Sequence, residues 1–195
     1  MQIRTGGILA HSAINWIVLW LGHWLRFPFL REGDTPEKHH AVDAFLKERE
    51  YKVAEVTLNF GDYAYNEPYA RCLARNDVQA INWLKQNYLS GASESLSVGQ
   101  KVSNQIYGRD IKRMMLLLIG VFETVMLPRL LELLKQRGFK LITLQEAESD
   151  PAYAHDPDLP SRWGGTLLQQ MMVAKHITER NQSVNPLVRL DQLCR

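Results

Sequence analysis

Two kinds of hydrophobic pattern follow one another along the chain. Short apolar runs bounded by turn residues read as strands, and stretches with apolar positions three and four apart read as helices. The first run, residues 14–21, "INWIVLWL", is interrupted by Asn15 and followed by His23. It reads as a buried helix or strand. The recurrence of Trp16, Trp20 and Trp24 at every fourth position gives a membrane-surface segment as the second reading. Strands are predicted near 25–29, 52–59 ("YKVAEVTLNF"), 114–119 ("RMMLLLIGVF", ended by Gly120) and 139–144 ("FKLITL").

Helices are predicted between and after these strands. Thr35-Pro36-Glu37 is a helix start, with Thr as N-cap and Pro at the first helical position. Ala41, Val42, Phe45 and Leu46 then share an apolar face opposite Glu37, Lys38, Lys47 and Glu48. "GDYAYNEPY" reads as a loop from its Gly, Asn and Pro content. Residues 68–107 read as two helices broken at "SGASESLS", with Ile81, Leu84 and Tyr88 in one stripe. "ETVMLPRLLELLKQRG" is an amphipathic helix that Pro128 restarts and Gly138 ends. "QEAESDPAY" predicts a short helix and turn, and "GTLLQQMMVAKHI" a last helix. Alternating strands and helices predict an α/β architecture with parallel strands, about half of an eight-stranded barrel.

Composition fits one globular domain: 195 residues, 46% hydrophobic and 23% charged, enough to bury a sizeable core. The net charge of +2, without any Lys/Arg-rich stretch, gives nucleic acid no electrostatic footprint. Cys72 and Cys194 are too few and too distant in sequence for a disulfide framework, so free thiols are expected. The apolar run near the N-terminus has only Arg4 ahead of it, no small-residue cleavage site after it, and too few residues to span a bilayer. No signal peptide and no transmembrane span are expected, and the cytoplasm is the default location.

Single residues carry weak chemical signals. His39 and His40 are adjacent on the predicted helix and point about 100° apart, so both are expected to face solvent rather than share an ion. His11 and His23 have no common register, and no nucleophile elbow, zinc-protease helix, P-loop or dinucleotide fingerprint occurs. Met171, Met172 and the leucines of 126–134 read as core. Two places differ. In "RFPFLREGD" Arg26 ends a predicted strand beside Pro28, which cannot donate to a ladder. In "LNFGDYAYN" Asp62 emerges after another predicted strand, between a glycine and two tyrosines.

Taken together with their order, "FPFLREGDTPEK", "VTLNFGDYAYNEPYARCL" and "LLLIGVFETVMLPRLLELLKQRGFKLITLQEAESDPAY" resemble the polysaccharide deacetylases of the NodB-homology class, carbohydrate esterase family four. That family folds as a distorted (β/α) barrel and hydrolyses acetyl groups on sugars with a divalent metal, often zinc. The resemblance implies a partial, distorted (β/α) barrel lacking its N-terminal strands. Residues 1–24 would be a divergent N-terminal segment and residues 25–195 a truncated deacetylase-like domain.

Motif by motif, the likeness is uneven. The family's R-x-P-Y/F stands as Arg26-Phe27-Pro28-Phe29, whose arginine in the family pairs with the catalytic aspartate. Its D-x-x-D-W stands as Asn59-Phe60-Gly61-Asp62-Tyr63, so the first acid is an amide and the indole a phenol. In the family the second aspartate orients the histidine of L-x-H, and here that motif reads Leu116-Leu117-Leu118. The T-F-D-D motif is absent from residues 1–24, and "HSAIN" lacks the second histidine of the family's histidine pair.

The resemblance therefore implies Arg26 and Asp62 as catalytic remnants and Phe29, Tyr63 and Tyr65 as sugar-facing residues. It implies no metal ligands and no cofactor for this chain, because catalytic zinc takes three protein ligands. Deprived of their family partners, Arg26 and Asp62 are expected to turn toward each other or toward solvent, since either charge is costly to bury alone. The leading functional expectation is a deacetylase-like protein, by descent a hydrolase of non-peptide carbon–nitrogen bonds, that no longer hydrolyses. A second is a glycan-binding module stacking Tyr63, Tyr65 and Tyr69 on an acetylated polysaccharide. A third is an assembly module whose exposed strand edges pair with another chain.

Overall fold

The structure, a computed structural model, describes residues 23–160, 164–178 and 187–195. The apolar run at 14–21, with His11, Trp16 and Trp20, lies outside them. Trp24–Leu25 (β1) and Lys52–Val53 (β2) pair in parallel, and Pro36–Glu48 (α1) crosses between them. α1 starts where its caps place it: the Thr35 hydroxyl accepts the Lys38 N–H, and Pro36 occupies the first turn, where its missing N–H leaves no bond unmade. Its predicted apolar face is buried only at Leu46. Ala41, Val42 and Phe45 face solvent, and the second buried residue is His39.

The barrel expected from the resemblance does not form. Among the described residues helix accounts for 60% and strand for 4%, and the sheet holds two strands, so the molecule is mainly helical. Local chemistry explains the lost strands. The segment at 25–29 is cut short because Pro28 has no N–H and Phe29 and Leu30 turn to φ of 56° and 55°, closing a 3₁₀ turn at Pro28–Leu30. The segments at 52–59 and 114–119 run on as extended chain but meet in a single parallel bridge, Leu58 with Met115. There the Thr57 hydroxyl takes the Met114 N–H at 2.8 Å, a donor that a longer ladder would use. Residues 139–143 belong to no strand and leave Leu141 74% exposed.

The expected loop at 61–69 is helical as well. A 3₁₀ turn at Asp62–Tyr65 leads into Asn66–Ala74 (α2), and Val78–Tyr107 (α3) follows as one uninterrupted helix of 30 residues. No break occurs at 90–97, because the serines bond inside the helix: Ser97 donates to the Ser93 carbonyl, and farther along Ser103 donates to that of Gly99. Leu84, Tyr88, Ala92, Leu96, Gly99 and Val102 form its buried stripe at three- and four-residue intervals. A Cβ at Gly99 would lie 2.4 Å from Leu58 Cδ2, so the bare backbone seats the extended chain against α3.

Val121–Gln136 (α4) contains Pro128 without interruption. Leu144–Glu148 (α5) and Leu167–Ala174 (α6) each start in a reciprocal cap, Thr143 with Glu146 and Thr166 with Gln169. Leu187–Gln192 (α7) closes the chain. Where α2, α3 and α4 meet, the rings of Tyr65 and Phe122 stack at 5.6 Å and Tyr88 meets Phe122 edge-on. Beside this core, Cys72 and Cys194 form a disulfide with Cα atoms 5.2 Å apart, which corrects the expectation of two free thiols. Arg71 reinforces the same closure by donating to the carbonyls of Leu190, Asp191 and Leu193.

Candidate functional site

The two residues singled out as catalytic remnants do not meet. Arg26 follows β1, and its Nε donates to the Ala54 carbonyl at 3.2 Å. The carboxylates of Glu55 and Glu148 act on it electrostatically, while loss of water around the guanidinium lowers its pKa. The same neighbourhood pushes Glu55 up to about 8, through burial first and then the charges of Glu32 and Glu148. Glu148, pushed up to about 7 by burial, accepts the Glu55 N–H. Arg26 itself is exposed and, among the described residues, forms no ion pair; Glu55 and Glu148, both shifted toward the protonated form, act on it only at longer range. Neither acid was singled out from the sequence, because they stand 93 positions apart and only the fold brings them together.

Asp62 sits elsewhere, at the start of the 3₁₀ turn after Gly61, whose φ of 75° turns the chain. It is 2% exposed, so it turns neither to Arg26 nor to solvent. Its Oδ2 accepts the Leu118 N–H at 2.5 Å, and burial raises its pKa to about 6 against the pull of that bond. Glu123 raises it further, and Glu123 in turn accepts the Tyr88 hydroxyl at 2.5 Å.

The three sugar-facing candidates separate. Phe29 is 72% exposed with the Arg31 guanidinium 5.4 Å from its ring centre, and Tyr63 is 52% exposed. Tyr65 is corrected: it is 1% exposed, packs on Phe122, and donates its hydroxyl to Asn87. Tyr69 is likewise buried. Neither ring can present a face to a ligand.

A third group was missed in the sequence. His39, expected in solvent, is 4% exposed and lies among Glu32, Asp156 and Asp158. Its Nδ1 is 3.2 Å from the Glu32 carbonyl, and its Nε2 is 3.2 Å from Asp156 Oδ2. Glu32 is buried, its Oε1 accepts from Gln170 Nε2 of α6 at 2.8 Å, and burial raises its pKa. Gly33 makes the approach feasible: at φ 124° it carries the chain so close to α1 that a Cβ would stand 2.7 Å from the His39 backbone nitrogen. The Glu32–Gly33 step just ahead of a capped helix was the one local signal. Asp156, 117 positions from His39, left none.

An open cleft of about 530 Å³ contains none of these residues; Gln100, Lys112, Arg137, Lys140 and Asp150 are among those lining it. Two of its cations are already engaged, Lys112 by the Glu146 carbonyl and Ser149, and Arg137 by Ser93 and Ser97. Among the described residues no helix is long and apolar enough to cross a membrane. No family model matches the sequence, and neither a curated protein nor a solved structure matches it.

Proposed function

We propose that the chain is a polysaccharide deacetylase-like protein that has lost the family's acetyl-removing centre. The observation that carries this reading is the contact of Asp62 with Leu118. The resemblance puts the orienting aspartate at 62 and the histidine position at 118, and these two positions, 56 apart, lie within one hydrogen bond. The mainly helical fold lends this reading no support.

The chemistry at that contact is spent. Hydrolysis of an acetyl amide needs a base beside an activated water and an acid for the leaving amine. Leucine at 118 can carry no proton, Asn59 is no acid, and Asp62 bonds backbone instead of imidazole. Acetate release from chitin oligomers, acetylated xylan and peptidoglycan fragments, with zinc or cobalt added, tests the reading. No release above a protein-free blank is expected, and release that a chelator abolishes would overturn it.

Exposure of Phe29 and Tyr63 at two motif positions favours retained recognition of the glycan as a second reading, because aromatic faces suit the apolar faces of pyranose rings. Calorimetry with the same oligomers should then give heat that Phe29→Ala and Tyr63→Ala diminish. Absence of heat with every glycan discards it.

A further inference from the structure

We propose that Glu32, His39 and Asp156 hold one divalent transition-metal cation, zinc or an ion of similar size. One donor atom from each residue lies within 4.8 Å of the other two. Donors seated about 2.0–2.5 Å from a common centre span that range. A nitrogen and two carboxylate oxygens are ligands that such ions accept.

His39 separates this group from an ordinary patch of solvated acids. It is 96% removed from solvent, as its 4% exposure states, and both ring nitrogens face oxygen. The Glu32 carbonyl beside Nδ1 can only accept, so Nδ1 carries a proton. Its Nε2 faces carboxylates, Asp156 Oδ2 at 3.2 Å and Asp158 Oδ1 at 3.6 Å. Two carboxylates meeting at one buried ring nitrogen call for positive charge there, on the ring or between the three groups. A metal ion provides it, and an Nδ1–H donated to a backbone carbonyl is how metal-binding imidazoles are commonly oriented. A second ring proton is the rival solution, and the experiment separates the two.

The surroundings are those of a supported ligand set. Glu32 is 7% exposed and its Oε1 is fixed by Gln170, itself buried on α6. Asp156 is exposed, so the ion would be reached from solvent and complete its shell with water. Asp158 is held nearby, its N–H donated to Asp156 Oδ1 and its own Oδ1 paired with His40 at 2.7 Å. The site uses no residue of the deacetylase motifs and goes beyond that reading.

The test is calorimetric titration of the chelator-treated full chain with zinc, alongside visible absorption with cobalt. One equivalent should bind, and Asp156→Asn, an exposed change that leaves the helical circular dichroism intact, should weaken it about tenfold or more. Asp43→Asn, on the exposed side of α1, should bind as the wild type does. Absence of saturable zinc binding overturns the proposal, and so does undiminished binding in Asp156→Asn. Nitrogen NMR of the zinc-saturated protein should find His39 protonated at Nδ1 alone; a doubly protonated ring there also overturns it.

Discussion

The carboxylate of Asp62 accepts the N–H of Leu118, tying a 3₁₀ turn to extended chain on the far side of α3 in sequence. Only one of its oxygens is served. Asp62 Oδ1 is buried without a hydrogen-bond partner in the protein, and Glu123 Oε1 is in the same condition. Two buried acids, each with an idle oxygen and each raising the cost of the other's charge, favour a proton on one of them.

Stability should therefore fall as pH rises through the range where Asp62 ionises. The folded chain holds its proton to about pH 6, whereas an unfolded aspartate releases it near 3.8. Between these values the folded state binds more protons, so its advantage is whole below about pH 4 and lost by about pH 6. The effect is on the order of 3 kcal/mol. Urea unfolding at pH 4, 5, 6 and 7 should find the decline, and Asp62→Asn should flatten it. An unchanged slope in the variant would refute the assignment.

Asp150 works in the opposite sense. It is buried and accepts four donors: two guanidinium nitrogens of Arg109 and the N–H groups of Lys112 and Ala152. The Arg109 bonds hold its carboxyl well below the usual carboxylate range. Its contribution is present above about pH 4 and lost as pH falls below that value. Asp150→Ala leaves these donors unserved and should cost about 3 kcal/mol at neutral pH, read from the urea midpoint. A cost under about 1 kcal/mol would mean that water replaces the carboxylate.

The Cys72–Cys194 disulfide closes a loop of 122 positions. Chain entropy alone gives such a loop a stabilising effect of about 4–5 kcal/mol against the reduced unfolded chain. Without reductant, the denatured protein should take up no alkylating label, and its mass should match the bridged form. Reduction should lower the melting temperature by roughly 10 °C or more. Labelling of both thiols before reduction would show that the bridge does not form.

How much of this was legible depended on the range of the interaction. The start of α1 was readable because Thr35, Pro36 and Lys38 settle it among themselves. α6 was readable for the same reason, through its apolar run. The strands were not: their runs are apolar and extended, but pairing depends on partners, and Pro28, Phe29, Leu30 and Thr57 divert the groups a ladder needs. The continuous α3 was misread because serine and glycine at 90–97 mark turns in general, whereas here the hydroxyls bond back into the helix. Of the candidate site, Asp62 and Arg26 were found by motif, yet their hydrogen-bond partners, the Leu118 N–H and the Ala54 carbonyl, were not those expected. His39 could not be placed from neighbours alone. Its burial rests on Asp156 and on Gln170 behind Glu32, both more than a hundred positions away.

Asn66 and Gly120 make the last case, because one requires the other. Asn66 Oδ1 accepts the Phe122 N–H at 3.0 Å and so caps α4 from outside it. A Cβ on Gly120 would lie 2.2 Å from Asn66 Nδ2 and 2.3 Å from Oδ1, so any side chain there must expel the cap. The backbone at Gly120 is extended, at φ −161°, and tolerates alanine without strain of its own. Gly120→Ala should then cost about 1–2 kcal/mol through the lost cap alone, as should Asn66→Ala. The double variant should cost little more than either single one, because each removes the same bond. Additive losses in urea unfolding would mean that Gly120 is needed for some reason other than Asn66.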